Sequence, residues 1–294
     1  MPSDSVRRWP YRWDEPFTDG EPGNTVSAYD HVSTPWGSTQ EEVWKIIREY
    51  DYLSGMYIWT GFDYLGEPTP YGWPSRSSYF GLIDLAGFPK DTYYLYKSEW
   101  TDEPVLHVFP HWNWNAGDTV DVWAYFNCEE VELFLNGESQ GTKTKQGEDL
   151  HVFWRLPFVP GTLKAIGRTN DKKVMEKIIK TAGEPALISL SADRKAIDAN
   201  GRDMVFVTVE ILDADGNFVP HADNLVNFNA GGNAFIAGVD NGSQTSHEPF
   251  KASFRRAFNG KCLVVLQSDG EDGEITLKAQ SEGLKDAVIN LEAK

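Results

Sequence analysis

The sequence predicts a multidomain chain: a terminal α/β segment of an incomplete (β/α)8 barrel, followed by two all-β sandwiches of immunoglobulin type. Three observations predict it. Residues 55–68 open as an apolar run, Met56 to Trp59, between Gly55 and Gly61, and then release aromatics and carboxylates onto a Gly/Pro-rich loop. That is the pattern of a buried parallel strand ending at the rim of a barrel. From residue 104 the pattern changes to short alternating segments punctuated by turn signals. All 11 tryptophans lie at or before Trp154, which sets the C-terminal stretch apart in composition. The expected domains are 1–103, 104–183 and 184–294, with a linker at Ala182-Gly183-Glu184-Pro185.

The elements follow in order. Pro2, Pro10, Pro16, Pro22 and Pro35 break any period over residues 1–37. Trp9, Tyr11, Trp13, Phe17 and Trp36 are too many aromatics for a disordered linker, so an ordered loop is expected. Ser38 and Thr39 each stand three residues before a glutamate, Glu41 and Glu42, the spacing of a capping box. Val43, Ile46, Ile47 and Tyr50 share a helical face, which predicts an amphipathic helix over 39–51. It leads into the strand at 54–60. Pro89 suits a first helical turn, and Tyr93, Tyr96 and Trp100 form one stripe of a second helix. Helix, strand, helix is a piece of a barrel and not a whole one.

The first sandwich is read from strands at Val105–Phe109, Thr119–Phe126, Glu130–Asn136, His151–Phe158, Gly161–Thr169 and Lys173–Thr181. Val120, Val122, Ala124 and Phe126 alternate with Asp121, Trp123 and Tyr125, as in a half-buried strand. The second is read from Leu187–Ala192, Val205–Leu212, Leu225–Phe228, Lys261–Leu266 and Glu274–Ala279. Its turns fall at Asp215-Gly216, Asn241-Gly242 and Asn259-Gly260.

The run Trp59-Thr60-Gly61-Phe62-Asp63-Tyr64-Leu65-Gly66-Glu67-Pro68 is continued by Ser77-Ser78-Tyr79-Phe80-Gly81 and by Asp84 to Asp91. With Glu132 to Gly137 and Gly238 to Gly242, it resembles glycoside hydrolase family 2, specifically bacterial β-galactosidases with extra C-terminal immunoglobulin-like domains. The resemblance covers the whole chain. It implies that the first stretch is the last barrel strand, with its tryptophan on the sugar-binding floor. It also implies that residues 1–37 are an insertion near the active-site mouth, and that Met1 lies inside a longer gene product. The implied parent reaction is retaining hydrolysis of terminal β-galactosides, without a redox cofactor.

Retaining hydrolysis needs two carboxyl groups about 5–5.5 Å apart. In the family both are glutamates, the acid/base following an asparagine. This chain has no Asn-Glu pair, and the nucleophile's strand is expected upstream of Met1. No catalytic residue is therefore assigned, and the missing N-terminal part of the same protein is the implied partner. The substrate-binding candidates are Trp59, Asp63, Tyr64 and Glu67. An indole at Trp59 can stack on a sugar's C–H face; its alternative reading is barrel core. Asp63 and Glu67 have the chemistry of a catalytic pair, but no sequence feature fixes their separation. The alternative is a carboxylate bonded to loop amides. In place of the asparagine that some of these enzymes carry before the glycine, this chain has Phe80-Gly81, so a cation-linked galactose contact is expected to be absent.

Composition sets the outer bounds. Hydrophobic content of 40% and charged content of 24% are those of a globular protein. No apolar window is long enough for a membrane-spanning helix. A formal net charge of −17 repels phosphate backbones, so nucleic acid is not an expected partner, while a neutral glycan is indifferent to it. Cys128 and Cys262 lack metal or redox spacing and are expected as free thiols, a single long-range disulfide being the alternative. His107 and His111, beside Trp112 and Trp114, read as an aromatic cluster rather than a metal site. Asp213, Asp215 and Gly216 read as a hairpin turn, since the other ligands of a calcium loop are missing. The rival to a glycosidase portion is a non-catalytic carbohydrate-binding or structural β-sandwich module.

Overall fold

The computed structural model describes residues 23–30, 33, 37–69 and 71–294. Pro70, Trp36 and the aromatics of residues 9–17 lie outside them, as does most of the predicted N-terminal loop. The chain divides into two compact units, Met1–Thr181 and Ala182–Lys294.

In the first unit, helices α1 (Gln40–Glu49) and α2 (Asp91–Trp100) precede seven strands. These are β1 (Leu106–Phe109), β2 (Thr119–Phe126), β3 (Glu130–Leu135), β4 (Glu138–Lys143), β5 (Val152–Pro157), β6 (Thr162–Thr169) and β7 (Lys172–Lys180). They form two sheets, ordered β1-β2-β5 and β4-β3-β6-β7, with every pairing antiparallel. Val120, Val122, Ala124 and Phe126 of β2 meet Val131 and Leu133 of β3, Trp154 of β5 and Leu163 of β6 in one core around the fully buried Trp112. The alternation read from β2 is the reason: period two sends every second side chain inward. Its other face is covered too. Tyr125 and Trp123 pack with Phe109, Leu95 of α2, Leu150 and Tyr29, so β2 is buried on both sides and anchors the helices. Asn136 and Gly137, with φ of 52° and 88°, make the left-handed pair that a two-residue hairpin between β3 and β4 needs.

The second unit contains β8 (Leu187–Ala192), β9 (Ala196–Ile197), β10 (Met204–Leu212), β11 (Leu225–Gly232), β12 (Ala234–Asp240), β13 (Phe254–Arg256), β14 (Lys261–Ser268), β15 (Gly273–Gln280) and β16 (Ala287–Ala293). Sheets β12-β14-β10-β8 and β13-β11-β15-β16-β9 enclose one core. Arg255 of β13 is fully buried; its Nη2 donates to the carbonyls of Val239 at 2.7 Å and Pro249 at 3.0 Å.

The architecture is thus nearly all β, in several sheets. The predicted buried strand at 54–60 does not form. Tyr57 is fully exposed there and Trp59 is 71% exposed. Apolarity states that a run gains by burial, but a strand also needs a ladder partner. Among the described residues the backbone finds one only at the end of the run. Thr60 N–H donates to Phe80 O at 3.2 Å and Ile83 N–H to Gly61 O at 3.0 Å, with a parallel bridge between Phe62 and Ile83.

The capping box is also replaced. Neither Thr39 nor Ser38 bonds a helix amide; both hydroxyls donate to the Glu42 carboxylate. Asp30 caps α1 from outside, accepting from Gln40 N–H at 3.0 Å and Glu41 N–H at 2.7 Å, where the helix dipole favours an anion. The predicted apolar face of α1 leaves Ile46 and Tyr50 exposed, and the residue it buries is Glu41. Both cysteines are free thiols. No helix among the described residues is long and apolar enough to cross a membrane.

Candidate functional site

The loop that follows Trp59 is built by backbone pairing between residues 60–66 and 76–83. Ser78 N–H donates to Tyr64 O at 2.9 Å, and Gly66 N–H to Arg76 O at 2.8 Å. Tyr64 N–H in turn donates to the Ser78 hydroxyl at 3.1 Å. Gly81 permits the close approach. A Cβ there would lie 2.2 Å from Asp63 N and 2.6 Å from Ile83 O, so the chain admits no side chain at that position.

On this support stand three of the four predicted residues. Trp59 Nε1–H donates to the Tyr64 hydroxyl at 3.0 Å, and the two rings meet edge-on at 6.2 Å and 87°. The Tyr64 hydroxyl donates onward to the Glu67 carboxylate. Accepting that bond, Glu67 pushes the phenol above its ordinary value; burial adds to this, and donation from Trp59 opposes it. The phenol therefore remains a proton donor at neutral pH. The relay fixes the indole by its edge and leaves its face to solvent.

Asp63 is placed differently. Its side chain is fully buried, with Lys90 Nζ 2.7 Å from Oδ2 and Gly81 N–H donating to Oδ1 at 2.8 Å. Lys90 Nζ also donates to Tyr79 O at 3.1 Å. Asp63 is a strut beneath the loop, tying residues 63, 79, 81 and 90 together. Beside it, Asp84 Oδ1 accepts from Ala86 N–H and Phe88 N–H, each at 2.9 Å. Burial pushes its carboxyl up to about 6 against those two bonds and the pull of Lys90. Sequence reasoning missed Asp84 and Lys90, although both lie inside the motif that drew attention to the loop.

The other candidates are dispersed. His107 stacks on Tyr94 at 3.8 Å and pairs with Asp91 at 2.8 Å. His111 stacks on Trp114 at 4.9 Å, and Trp112 Nε1–H donates to Val159 O inside the sandwich. Among the described residues no three His, Cys, Asp or Glu side chains converge as a metal site would require. Asp213 takes its bonds from Asp215 and Asn217 within its own turn, and from Gly183.

Comparison with known proteins supplies the context. The profile of the glycoside hydrolase family 2 C-terminal domain 5 matches residues 188–290, and a domain of unknown function (DUF4982) matches residues 117–175. The chain is 58% identical to the β-galactosidase BoGH2A of Bacteroides ovatus, an alignment that covers 100% of this chain and 34% of that protein. It is 35% identical to a putative β-glucuronidase of Formosa agariphila, over 84% of this chain and 25% of the relative. In structure it superposes on a β-glycosidase from Bacteroides vulgatus with a TM-score of 0.86 at 36% identity, covering 92% of this chain and 34% of that one. The chain spans between a quarter and about a third of the length of these relatives.

Proposed function

Since the chain belongs to glycoside hydrolase family 2, as a C-terminal portion of the bacterial β-galactosidase-like group, we propose that it works as part of a longer retaining exo-glycosidase acting on terminal β-galactosides. In this reading residues 1–103 end the catalytic barrel, and the segment 54–60 becomes its last strand once neighbouring strands are present. The exposed apolar side chains of Ile46, Tyr50, Tyr52 and Tyr57 suit that completion. The catalytic glutamate pair comes from the preceding part of the protein. Trp59, Tyr64 and Glu67 contact the sugar, and Asp63 holds their loop.

The observation that carries the substrate class is the identity of 58% to a β-galactosidase along the whole chain. Glucuronidases among the relatives favour a second reading, and the charge of the site weighs against it. Glu67 sets a carboxylate on the Tyr64 hydroxyl that holds the indole, and Lys90 is already paired with Asp63. A uronate carboxylate entering there meets like charge, whereas galactose presents only neutral hydroxyls.

The test compares chromogenic β-galactoside and β-glucuronide as substrates of the full-length gene product. Preference for the galactoside is expected, with no turnover by residues 1–294 alone. Turnover by residues 1–294 that disappears in both Asp63→Asn and Glu67→Gln would make that pair catalytic and overturn the assignment. A full-length protein that turns over neither substrate would return the chain to a binding or structural module.

A further inference from the structure

The start of α2 holds two parts of the first unit at once. Lys90, extended just before the helix, sends Nζ to the buried Asp63 Oδ2 at 2.7 Å and to Tyr79 O at 3.1 Å. Its backbone N–H donates to Leu82 O at 2.9 Å, and Pro89 bridges to Ile83. The next residue faces the sandwich. Asp91 Oδ1 lies 2.8 Å from Nε2 of His107 on β1. Tyr94 stacks on the same imidazole, 3.8 Å away and 8° from parallel, and Leu95 enters the core with Phe109 and Tyr125. Residues 91, 94 and 95 stand at i, i+3 and i+4, so one helical face meets β1 and β2. A single peptide bond therefore separates the residue that grips the site's loop from the residue that grips the sandwich.

The joint is stiff for a physical reason. The Asp63 carboxylate is buried, and parting it from Lys90 would strand a charge away from water, a far larger loss than that of a surface pair. Where the start of α2 goes, Asp63 follows. Tyr64 is the next residue of the chain, and its hydroxyl bonds both Trp59 and Glu67. A shift of α2 is thus passed to all three candidate sugar contacts. We propose that the first sandwich positions the sugar-binding loop through the start of α2, with His107 and Lys90 as positioning residues on its two sides. The sandwich then serves the reaction without touching the sugar. The kinetic consequence rests on the galactosidase reading above; the mechanical link does not.

The experiment pairs kinetics on an aryl β-galactoside with hydrogen exchange, both on the full-length gene product. His107→Phe keeps a ring against Tyr94 and removes the bond to Asp91. It should lower kcat/KM about fivefold and speed exchange of the amides in 60–66 and 76–83. His107→Gln, whose amide can reach Asp91, should recover part of both. Val131→Ala is the control, because Val131 lies in the same sandwich's core on the opposite sheet. It should lower the melting temperature and leave kcat/KM within about twofold. Wild-type kinetics and wild-type loop exchange in His107→Phe would overturn the proposal. Equal kinetic losses in His107→Phe and Val131→Ala would also overturn it, by reporting a general weakening of the sandwich. If the wild type turns over no galactoside, the galactosidase reading falls, and loop exchange in His107→Phe decides by itself whether the sandwich holds the loop.

Discussion

Asp84 holds its proton to a higher pH than an exposed aspartate does, because burial outweighs its two amide bonds and the pull of Lys90. With its folded pKa raised from 3.8 to about 6, its contribution to stability is fully present below pH 3.8 and is lost as pH rises through about 6. Asp84→Asn keeps an acceptor for Ala86 and Phe88 but carries no charge. The variant should match wild type near pH 4 and exceed it above pH 7 by about 2–3 kcal/mol in urea unfolding. A gap that does not change with pH would reject the assignment. Trp59 is tested by function: Trp59→Ala in the full-length protein should lower kcat/KM by about fivefold or more, the loss of one stacking contact. A lowered melting temperature with unchanged kinetics would show an indole that only packs. The motif around Trp59 was legible from sequence because its residue types are unusual together. The strut role of Asp63 was not, since its partner Lys90 is brought in by a turn that spacing does not encode.

Helix α1 is held to the first sandwich by a buried carboxylate. Glu41 Oε1 lies 2.6 Å from His151 Nδ1 and accepts from the Tyr125 hydroxyl at 3.2 Å. His151 also lies flat on Trp123 at 3.6 Å. Glu41 is shared by His151 and Tyr125, so a change at one member alters the bonding of another and the effects should not add. A double-mutant cycle of Glu41→Gln and His151→Phe should give a coupling of about 1 kcal/mol or more by urea unfolding. Coupling below about 0.3 kcal/mol would mean that the two residues act independently. The same scale shows what pattern reading can and cannot reach. β2 and β8 have the predicted bounds, because runs rich in apolar residues between turn signals leave a clear trace. β4 was missed: its sequence, Glu138 to Lys143, is polar and mostly exposed, and only the ladder to β3 makes it a strand. β9 and β13 span two and three residues, too short for any period. β12 is hidden by a bulge between Ile236 and Gly238 that breaks its alternation, and β16 buries only Leu291 and Ala293 at its far end.

Across the whole molecule, the second unit carries a core drawn from both of its sheets, so residues 182–294 should fold alone. Expressed by itself, that piece should give one cooperative urea transition, coincident with one transition of the full chain. A broad, non-cooperative melt would show dependence on the first unit. The place of the cut matters more than its nominal domain boundary suggests. Asp213 is a four-way acceptor: Oδ2 receives Gly183 N–H at 2.8 Å and Asn217 Nδ2 at 3.0 Å, while Oδ1 receives two turn amides. Burial alone would raise its carboxyl, yet these donors, Gly183 first, hold it below the usual value. A gene fragment started at residue 184 looks clean on a sequence map but strips one donor from that carboxylate. One started at residue 182 keeps it. For anyone dividing this chain for expression, two residues of apparent linker belong to the piece that follows them.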